Sequence, residues 1–428
     1  MDIRYQITGG TPLQGDVTIG GSKNAALPMI AGAVLVSGET VLKNVPRLRD
    51  TEIMLSILEF LGAETSFIEG TVRIRTDKLQ SKPIPAELVN KLRGAIVLLG
   101  PLLARFGVVE MSYPGGCVLG KRPVEAHVLA LEQMGALNMS TPEVLHLQGT
   151  LQPSHVILPE FSVTATENAI WAAALTTGTT TIDIAAAEPH VQECALMAQA
   201  MGATVTGIGT HTLSITGTKD LQAVTHRVPF DYLEAGCFVI AALVTRGKLR
   251  LHDVDDVHLI SFLDTIRRAG GIWKYDKAQK VLLVDGELSF LNALKLQTNI
   301  FPGFPTDLQA PMGVLMTQAK GVSRVFETLF EGRLAYLYEL EKMGAQVEIL
   351  NSHEALVIGP TPLKGRLVAS NDIRAGAAMV LAGLCAEGTT TITDVRYIER
   401  GYEKLDEKLR SVGAKIERQV IENVTTVA

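Results

Sequence analysis

The chain has 428 residues, a formal net charge of −6, 47% hydrophobic and 20% charged residues. That balance suits a globular protein with apolar material for more than one core, and it excludes a disordered or collagen-like chain. No Lys/Arg-rich run is present, which argues against a nucleic-acid partner, and apolar runs such as Ala375 to Cys385 are too short and glycine-interrupted to cross a membrane.

In chain order, an extended stretch before Gly20 leads into an apolar helical stretch from Lys23 to Val36, which Gly38 stops. A second helix with Met54, Ile57, Leu58 and Leu61 on one face ends at Gly62. The same punctuation returns at Gly107 and Gly135, Gly178 and Gly202, Gly247 and Gly270, Gly321 and Gly344, and Gly388 and Gly413. Both glycine series advance by about 70 residues, so the chain reads as six copies of one unit. Each copy opens with a polar residue heading an apolar helix, as in Glu234 to Val244 or Arg374 to Leu384. A β-branched strand follows, such as TTTIDI from Thr179 or TTTITDV from Thr389, then the second helix and hairpin-like stretches such as VEILNSHEALVIG from Val347. In the last copy that second helix carries Tyr402, Leu405, Leu409 and Val412. The fold class is therefore α/β.

Six such units exceed one core, which predicts two domains of three units each. The stretch HRVPFDYLE from His226 falls at the halfway point. The strand before Gly20 fits either half; assigning it to the second gives 22–229 as one domain and 1–21 with 230–428 as the other. The opening MDIRYQITGG lacks the pattern of a signal segment, so a cytoplasmic location is expected.

A repeat supplies its own control, because what one copy has and the others lack points to function. The interval between paired glycines is 23 to 25 residues in five copies and 28 in the second, where the surplus falls in YPGGCVLGKRPVEAH. Cys117 there neighbours Lys121 and Arg122, a setting that depresses a thiol pKa and makes it nucleophilic or proton-donating; the alternative is an ordinary exposed cysteine in a hairpin. Cys194, Cys237 and Cys385 lie in apolar helical stretches and read as small buried hydrophobes, and no CxxC or Cys/His spacing suggests a metal.

The helix-heading residues form a second constellation: Lys23 with Asn24, Arg93, Thr166 with Glu167, Glu234, Asp307 with Gln309, and Arg374. Helix N-termini attract anions, and with Arg122 and Arg400 the set suits phosphates and carboxylates; each residue alone is equally a cap or a surface ion pair. Asp307, in FPGFPTDLQAP, reads either as an N-cap or as a catalytic base for a hydroxyl.

At GGSKNAALP from Gly20, PGGCVLGKRPVEAH from Pro114, FPTDLQA from Phe304 and ERGYEKLDEKLRSVGA from Glu399, the chain resembles the UDP-N-acetylglucosamine 1-carboxyvinyltransferase (enolpyruvyl transferase) family over essentially its whole length. The resemblance implies two inside-out α/β barrel domains of three repeated units, with the active site in the cleft between them. It implies transfer of the enolpyruvyl group of phosphoenolpyruvate to the 3′-hydroxyl of UDP-N-acetylglucosamine, releasing phosphate, with no metal or organic cofactor. It further implies Asp307 as base, Cys117 as proton donor and target of the epoxide fosfomycin, and Lys23, Arg122 and Arg400 as phosphate and carboxylate holders. Asn24 and Asp307 would touch the sugar, Arg93 would sit beside the substrates, and Leu329 would line the sugar pocket. Arg122, Pro123, Val124, Glu125 and Ala126 would hold the uridine, with Ser162 and Val163 as further binding positions.

The chain departs from familiar members of this family at several places. Glu160 stands where a basic residue is usual, Thr164 replaces a glycine, Glu125 an aspartate and Val97, in some members, a tryptophan, while EGR from Glu331 replaces ENR. A carboxylate at Glu160 would repel a diphosphate unless turned away. Two rival readings are an enolpyruvyl transferase acting on shikimate 3-phosphate, expected to lack the cysteine insertion, and a paralogue that binds a nucleotide sugar without turnover.

Overall fold

The computed structural model describes residues 2–115 and 124–421. The chain divides into two compact units, Gly21–Pro229 and Met1–Gly20 with Phe230–Ala428. Helices and strands alternate, and among the described residues the strands form six open sheets, five of four strands and one of three. The fold is therefore α/β with mixed sheets.

Five sheets share one plan. The strand that follows a buried helix pairs antiparallel on one side and takes a short parallel strand on the other. Lys248–His252 does so with Val281–Asp285 and Gln14–Thr18, and Gly321–Phe326 with Glu354–Gly359 and Lys295–Gln297. Along Lys248–His252 the buried residues are Leu249 and Leu251, so one face of the sheet meets the core and the other meets solvent. Three sheets are completed by distant segments, one of them through Gln14–Thr18 beside Lys248–His252. Asp2–Thr8 lies between Thr389–Thr393 and Lys415–Ile421, Tyr5 opposing Ile392 on one side and Arg418 on the other. Thr225–Arg227 runs parallel to Glu39–Lys43 at the other end of its unit's sequence.

The glycine pairs have a conformational basis. All six members of the second series, Gly62, Gly135, Gly202, Gly270, Gly344 and Gly413, have φ between 87° and 119°, where a side chain is strained and glycine ends a helix without cost. In the first series Gly247 is the exception. Arg246 beside it takes φ 54° instead, and a Cβ on Gly247 would fall 2.1 Å from the Leu13 carbonyl oxygen.

Each unit has its own hydrophobic core. In the unit containing Phe230–Ala428, the helices Tyr232–Val244, Gln309–Thr317 and Ile373–Cys385 pack on one another. Every residue of the first two is buried, as a helix that is apolar on all sides requires. In Gly21–Pro229 the corresponding elements are Lys23–Gly32, Leu99–Phe106 and Val163–Ala174. The starts of these buried helices are where charged residues enter the interior.

Candidate functional site

In the unit built on Phe230–Ala428, the candidate residues gather around Asp307. Pro305 holds the chain extended ahead of the 3-10 turn Thr306–Leu308, which runs straight into Gln309–Thr317 and sets Asp307 at the entry to a buried helix. Arg374 is the second residue of Ile373–Cys385, whose first turn is capped by the Asp372 carboxylate accepting from the Arg374 and Ala375 amides. Arg333 begins the turn Arg333–Ala335 after Gly332, at φ 74°. Glycine and asparagine both adopt that left-handed conformation readily, so EGR in place of ENR is compatible with the same placement of the arginine.

The two arginines hold Asp307 from both sides. Arg374 donates from Nη2 at 2.8 Å and Nε at 3.0 Å to Oδ2, and Arg333 Nη2 is 2.8 Å from Oδ1. Arg333 Nη1 donates to Thr306 Oγ1 at 2.7 Å, and that hydroxyl donates to the buried Glu327 carboxylate at 2.8 Å. Against the desolvation of this packed setting, the Arg374 and Arg333 guanidinium ions hold the Asp307 carboxyl well below the usual range. The carboxylate oxygens thus accept from side chains rather than from the amides an N-cap serves. A quarter of the Asp307 side chain remains open to solvent, the access a substrate hydroxyl needs.

Other expected residues of this unit sit nearby in sequence or in the same unit. Arg400 ends the turn Val395–Arg400 and is half-buried. Leu329 is exposed, its amide donating to Glu327 Oε1 at 2.9 Å. Tyr402, read from the sequence as part of an apolar helix, instead precedes the helix Leu405–Ser411, because Lys404 takes φ 50° and breaks the pattern. Its hydroxyl accepts from Arg374 Nη1 at 3.0 Å.

Gly21–Pro229 carries the second group. Ser22 caps the helix Lys23–Gly32, placing Lys23 at its first position with Nζ 3.4 Å from Asp50 Oδ2 and both side chains nearly buried. Asn24 follows, half-buried. Gly21 leaves no room for a side chain, since a Cβ would fall 1.7 Å from the Asn44 carbonyl oxygen. Arg93 opens the turn Arg93–Leu98 and donates from Nη1 to the Pro114 carbonyl at 3.0 Å. Gly115 packs against Asn90, whose carbonyl oxygen would lie 2.6 Å from an added Cβ. Cys117, Arg122 and Pro123 lie outside the described residues.

Val124, Glu125 and Ala126 form the start of the helix Glu125–Gln133, and Ser162 and Val163 that of Val163–Ala174. A hydrogen bond ties these two helix starts together. His127 Nε2 lies 2.7 Å from Thr164 Oγ1, and Nδ1 lies 3.2 Å from the Val124 carbonyl. Burial, with the Arg93 charge adding to it, pushes the His127 pKa down to about 4, against the favourable Val124 contact. The neutral ring therefore donates from Nδ1 to the carbonyl and accepts the Thr164 hydroxyl proton at Nε2. The departure at Thr164 thus adds a buried bridge between the two helix starts. Glu160 is exposed.

A second expectation needs correcting. Thr166 and Glu167 do not head a helix, because Val163–Ala174 begins earlier, after Ser162. Thr166 instead donates back to the Ser162 carbonyl at 2.8 Å, as a residue within the helix does, and accepts from the Ala186 amide at 3.0 Å, tying the helix to the segment ahead of Pro189–Met201. Residues that pattern reading missed are Arg333, Tyr402, His127 and Asp50, which act as partners of expected residues. Arg374 was visible as a helix start recurring at the unit's opening position.

Among the described residues, no group of three His, Cys, Asp or Glu side chains is placed to hold a metal ion, and no helix is long and apolar enough to cross a membrane. A family model described as EPSP synthase (3-phosphoshikimate 1-carboxyvinyltransferase) matches residues 7–409. A UDP-N-acetylglucosamine 1-carboxyvinyltransferase of Chlorobium phaeovibrioides is 43% identical over 96% of this chain and 97% of its own. A protein of the same name from Methylacidiphilum infernorum is 41% identical over 97% and 98%. Among solved structures, the enolpyruvyl transferase NikO from Streptomyces tendae aligns with a TM-score of 0.88 at 22% identity, covering 98% of this chain and all of that one. EPSP synthase from Acinetobacter baumannii aligns with a TM-score of 0.76 at 19% identity over the same coverage; both likenesses are of fold. Identity at this level, sustained along nearly the whole of both chains, places the protein in the UDP-N-acetylglucosamine 1-carboxyvinyltransferase family.

Proposed function

We propose that the protein transfers the enolpyruvyl group of phosphoenolpyruvate to the 3′-hydroxyl of UDP-N-acetylglucosamine and releases phosphate, the first committed step of peptidoglycan precursor synthesis. The observation that carries this reading is the near-complete coverage at 40–43% identity by relatives bearing that enzyme's name. Two inside-out barrel domains, 22–229 and 1–21 with 230–428, each of three repeated units, would place the reacting groups in the cleft between them. Six separate sheets and centrally packed helices support that reading. A cytoplasmic location belongs to it, as do two small-molecule substrates and no nucleic acid, membrane, metal or organic cofactor.

The chemistry is addition followed by elimination. The acceptor hydroxyl gives its proton to Asp307 as its oxygen bonds to C2 of phosphoenolpyruvate, while a proton is delivered to C3, with Cys117 the candidate donor. In the second half a proton leaves the new methyl group, the C2–O bond to phosphate breaks, and the enol ether forms. Lys23, Arg122 and Arg400 would hold the phosphate and carboxylate and stabilise the charge that develops there. A carboxylate gripped by two guanidinium ions is a weak base, and its basicity rises when an anionic substrate competes for those cations. Asp307 is thus poised to become a stronger base as the substrates arrive. Asn24, Arg93 and Leu329 would line the sugar and phosphoenolpyruvate sites, and Val124, Glu125, Ala126, Ser162 and Val163, with Arg122 and Pro123, the nucleotide site.

The test is phosphate release from phosphoenolpyruvate with UDP-N-acetylglucosamine or shikimate 3-phosphate as acceptor. Release with the nucleotide sugar alone is expected; release only with shikimate 3-phosphate, or with neither, overturns the assignment. Exposure to fosfomycin should add one adduct mass at Cys117 and abolish turnover, read by intact-mass and peptide analysis. An unmodified thiol with full activity would remove Cys117 from the mechanism.

A further inference from the structure

Arg374 has more than one task for its guanidinium. Nε and Nη2 both address Asp307 Oδ2, and the remaining arm, Nη1, donates to the Tyr402 hydroxyl at 3.0 Å. A guanidinium only donates, so the tyrosine oxygen is the acceptor of that bond and its own proton is available to a third group. Cys237 Sγ lies 3.3 Å from the same oxygen. Burial pushes the Cys237 thiol up to about 12, so it stays protonated and meets the hydroxyl as a neutral hydrogen-bonding partner. Arg374, Tyr402 and Cys237 are 6%, 2% and 3% exposed. Cys237 stands in an apolar wall with Ala377, Leu405 and Leu409. The polar chain therefore runs from guanidinium to hydroxyl to sulfur and ends in the core.

We propose that Tyr402 is a positioning residue for the reaction: its hydroxyl, oriented by Cys237, fixes the rotation of the Arg374 guanidinium and thereby its grip on Asp307. Anchoring the third arm of a planar cation restrains the rotation that aims the other two at Asp307, and in a buried setting such a bond restrains strongly. Gly401 makes room for this arrangement, since a Cβ there would strike Ile373 Cγ2 at 2.2 Å and fall 3.8 Å from Arg374 Nη1. Cys237, which composition alone classes with small buried hydrophobes, acquires a polar duty. The inference rests on the reading of Asp307 as the base.

The experiment is a double-mutant cycle in kcat with Tyr402→Phe and Arg374→Lys, using phosphate release with UDP-N-acetylglucosamine. Loss of a hydrogen bond to a charged group should lower kcat about tenfold or more in Tyr402→Phe, with the acceptor KM within about threefold of the parent. If Tyr402 acts through Arg374, adding Tyr402→Phe to Arg374→Lys changes kcat by less than about threefold. Two losses that multiply show a general packing role and overturn the proposal. If Tyr402→Phe does not fold, Cys237→Val and Cys237→Ser replace it in the cycle. The valine variant, without a hydrogen-bonding partner for the tyrosine hydroxyl, should slow turnover several-fold in the parent and not in Arg374→Lys, while the serine variant keeps parental kcat; equal rates for valine and serine overturn the proposal. Parent enzyme that releases no phosphate with the nucleotide sugar would instead remove the function on which the inference rests.

Discussion

Asp307 and Glu167 are both carboxylates set near the start of a buried helix, one in each unit, and their surroundings drive them to opposite charge states. Asp307 faces two guanidinium ions and is held as an anion. Glu167 is 1% exposed, and desolvation followed by the nearby Glu188 carboxylate pushes its pKa well above the usual range, favouring the neutral acid. Glu234 stands between them. Burial raises its pKa although Lys408 Nζ lies 2.6 Å away and the Gly20 amide donates at 2.7 Å. Two cations, one cation and a second carboxylate thus give three outcomes, with Asp307 just before its helix, Glu234 in the first turn of its own and Glu167 in the second turn of Val163–Ala174. An acid near the start of a buried helix takes the charge state that its neighbours set.

The largest break in this comparison should come from Asp307→Asn, which keeps the shape and removes the charge. Turnover should fall about a thousandfold, within the range a positioned general base supplies, while UDP-N-acetylglucosamine binding stays measurable by calorimetry. Near-parental turnover would reduce Asp307 to an ionic anchor.

Next in size, Arg333→Met converts the two-cation arrangement into one resembling Glu234 with its single lysine. Removing one partner of a largely buried ion pair should destabilise the chain by about 3 kcal/mol in urea titration at neutral pH. The sign with pH follows from linkage. Asp307's folded pKa lies below its unfolded one, so its contribution is full above the unfolded value and is lost as pH falls through the folded one. Arg333→Met raises the folded pKa, so acid should erode this contribution at a higher pH than in the parent. Parallel acid-denaturation curves would count against the ion pair as the cause.

The smallest effect belongs to Glu167→Gln, a near-isosteric copy of the protonated acid. Glu167's folded pKa is raised above its unfolded value, so between the two the unfolded chain has released a proton that the folded chain retains. Parental stability therefore falls with rising pH above about 4.5. The glutamine variant lacks this penalty and should gain on the parent by roughly 1 kcal/mol as pH rises from about 5 to about 6, where Glu167 is still protonated in the fold. A difference that does not change with pH would mean Glu167 is ionised in the fold.

Much of the α/β character was legible because it is local. Helix stops need a residue that tolerates positive φ, and the six glycines from Gly62 to Gly413 all adopt it. Alternation in strands such as Lys248–His252 is equally local. Pairing across the sequence was not legible, since nothing in Asp2–Thr8 declares a partner more than 380 residues away at Thr389. The candidate site divides in the same way. Motifs and helix starts point to Asp307, Lys23 and Arg93, but Arg374 is 67 residues from Asp307 and Tyr402 is 165 from Cys237. A hydroxyl's bonding depends on which helix end lies above it, and apolar periodicity absorbed Tyr402 as one more core residue.

The sheet that holds Asp2–Thr8 has a bearing on how the chain comes off the ribosome. Tyr5 and Ile7 are 1% and 0% exposed in the finished sheet, yet the two strands that flank them, Thr389–Thr393 and Lys415–Ile421, are made more than 380 residues later. Until then this apolar strand is a lone edge, open to mispairing, while Gly21–Pro229 already has all the residues of its own core. Residues 21–229 are thus all made well before the strands that flank Asp2–Thr8.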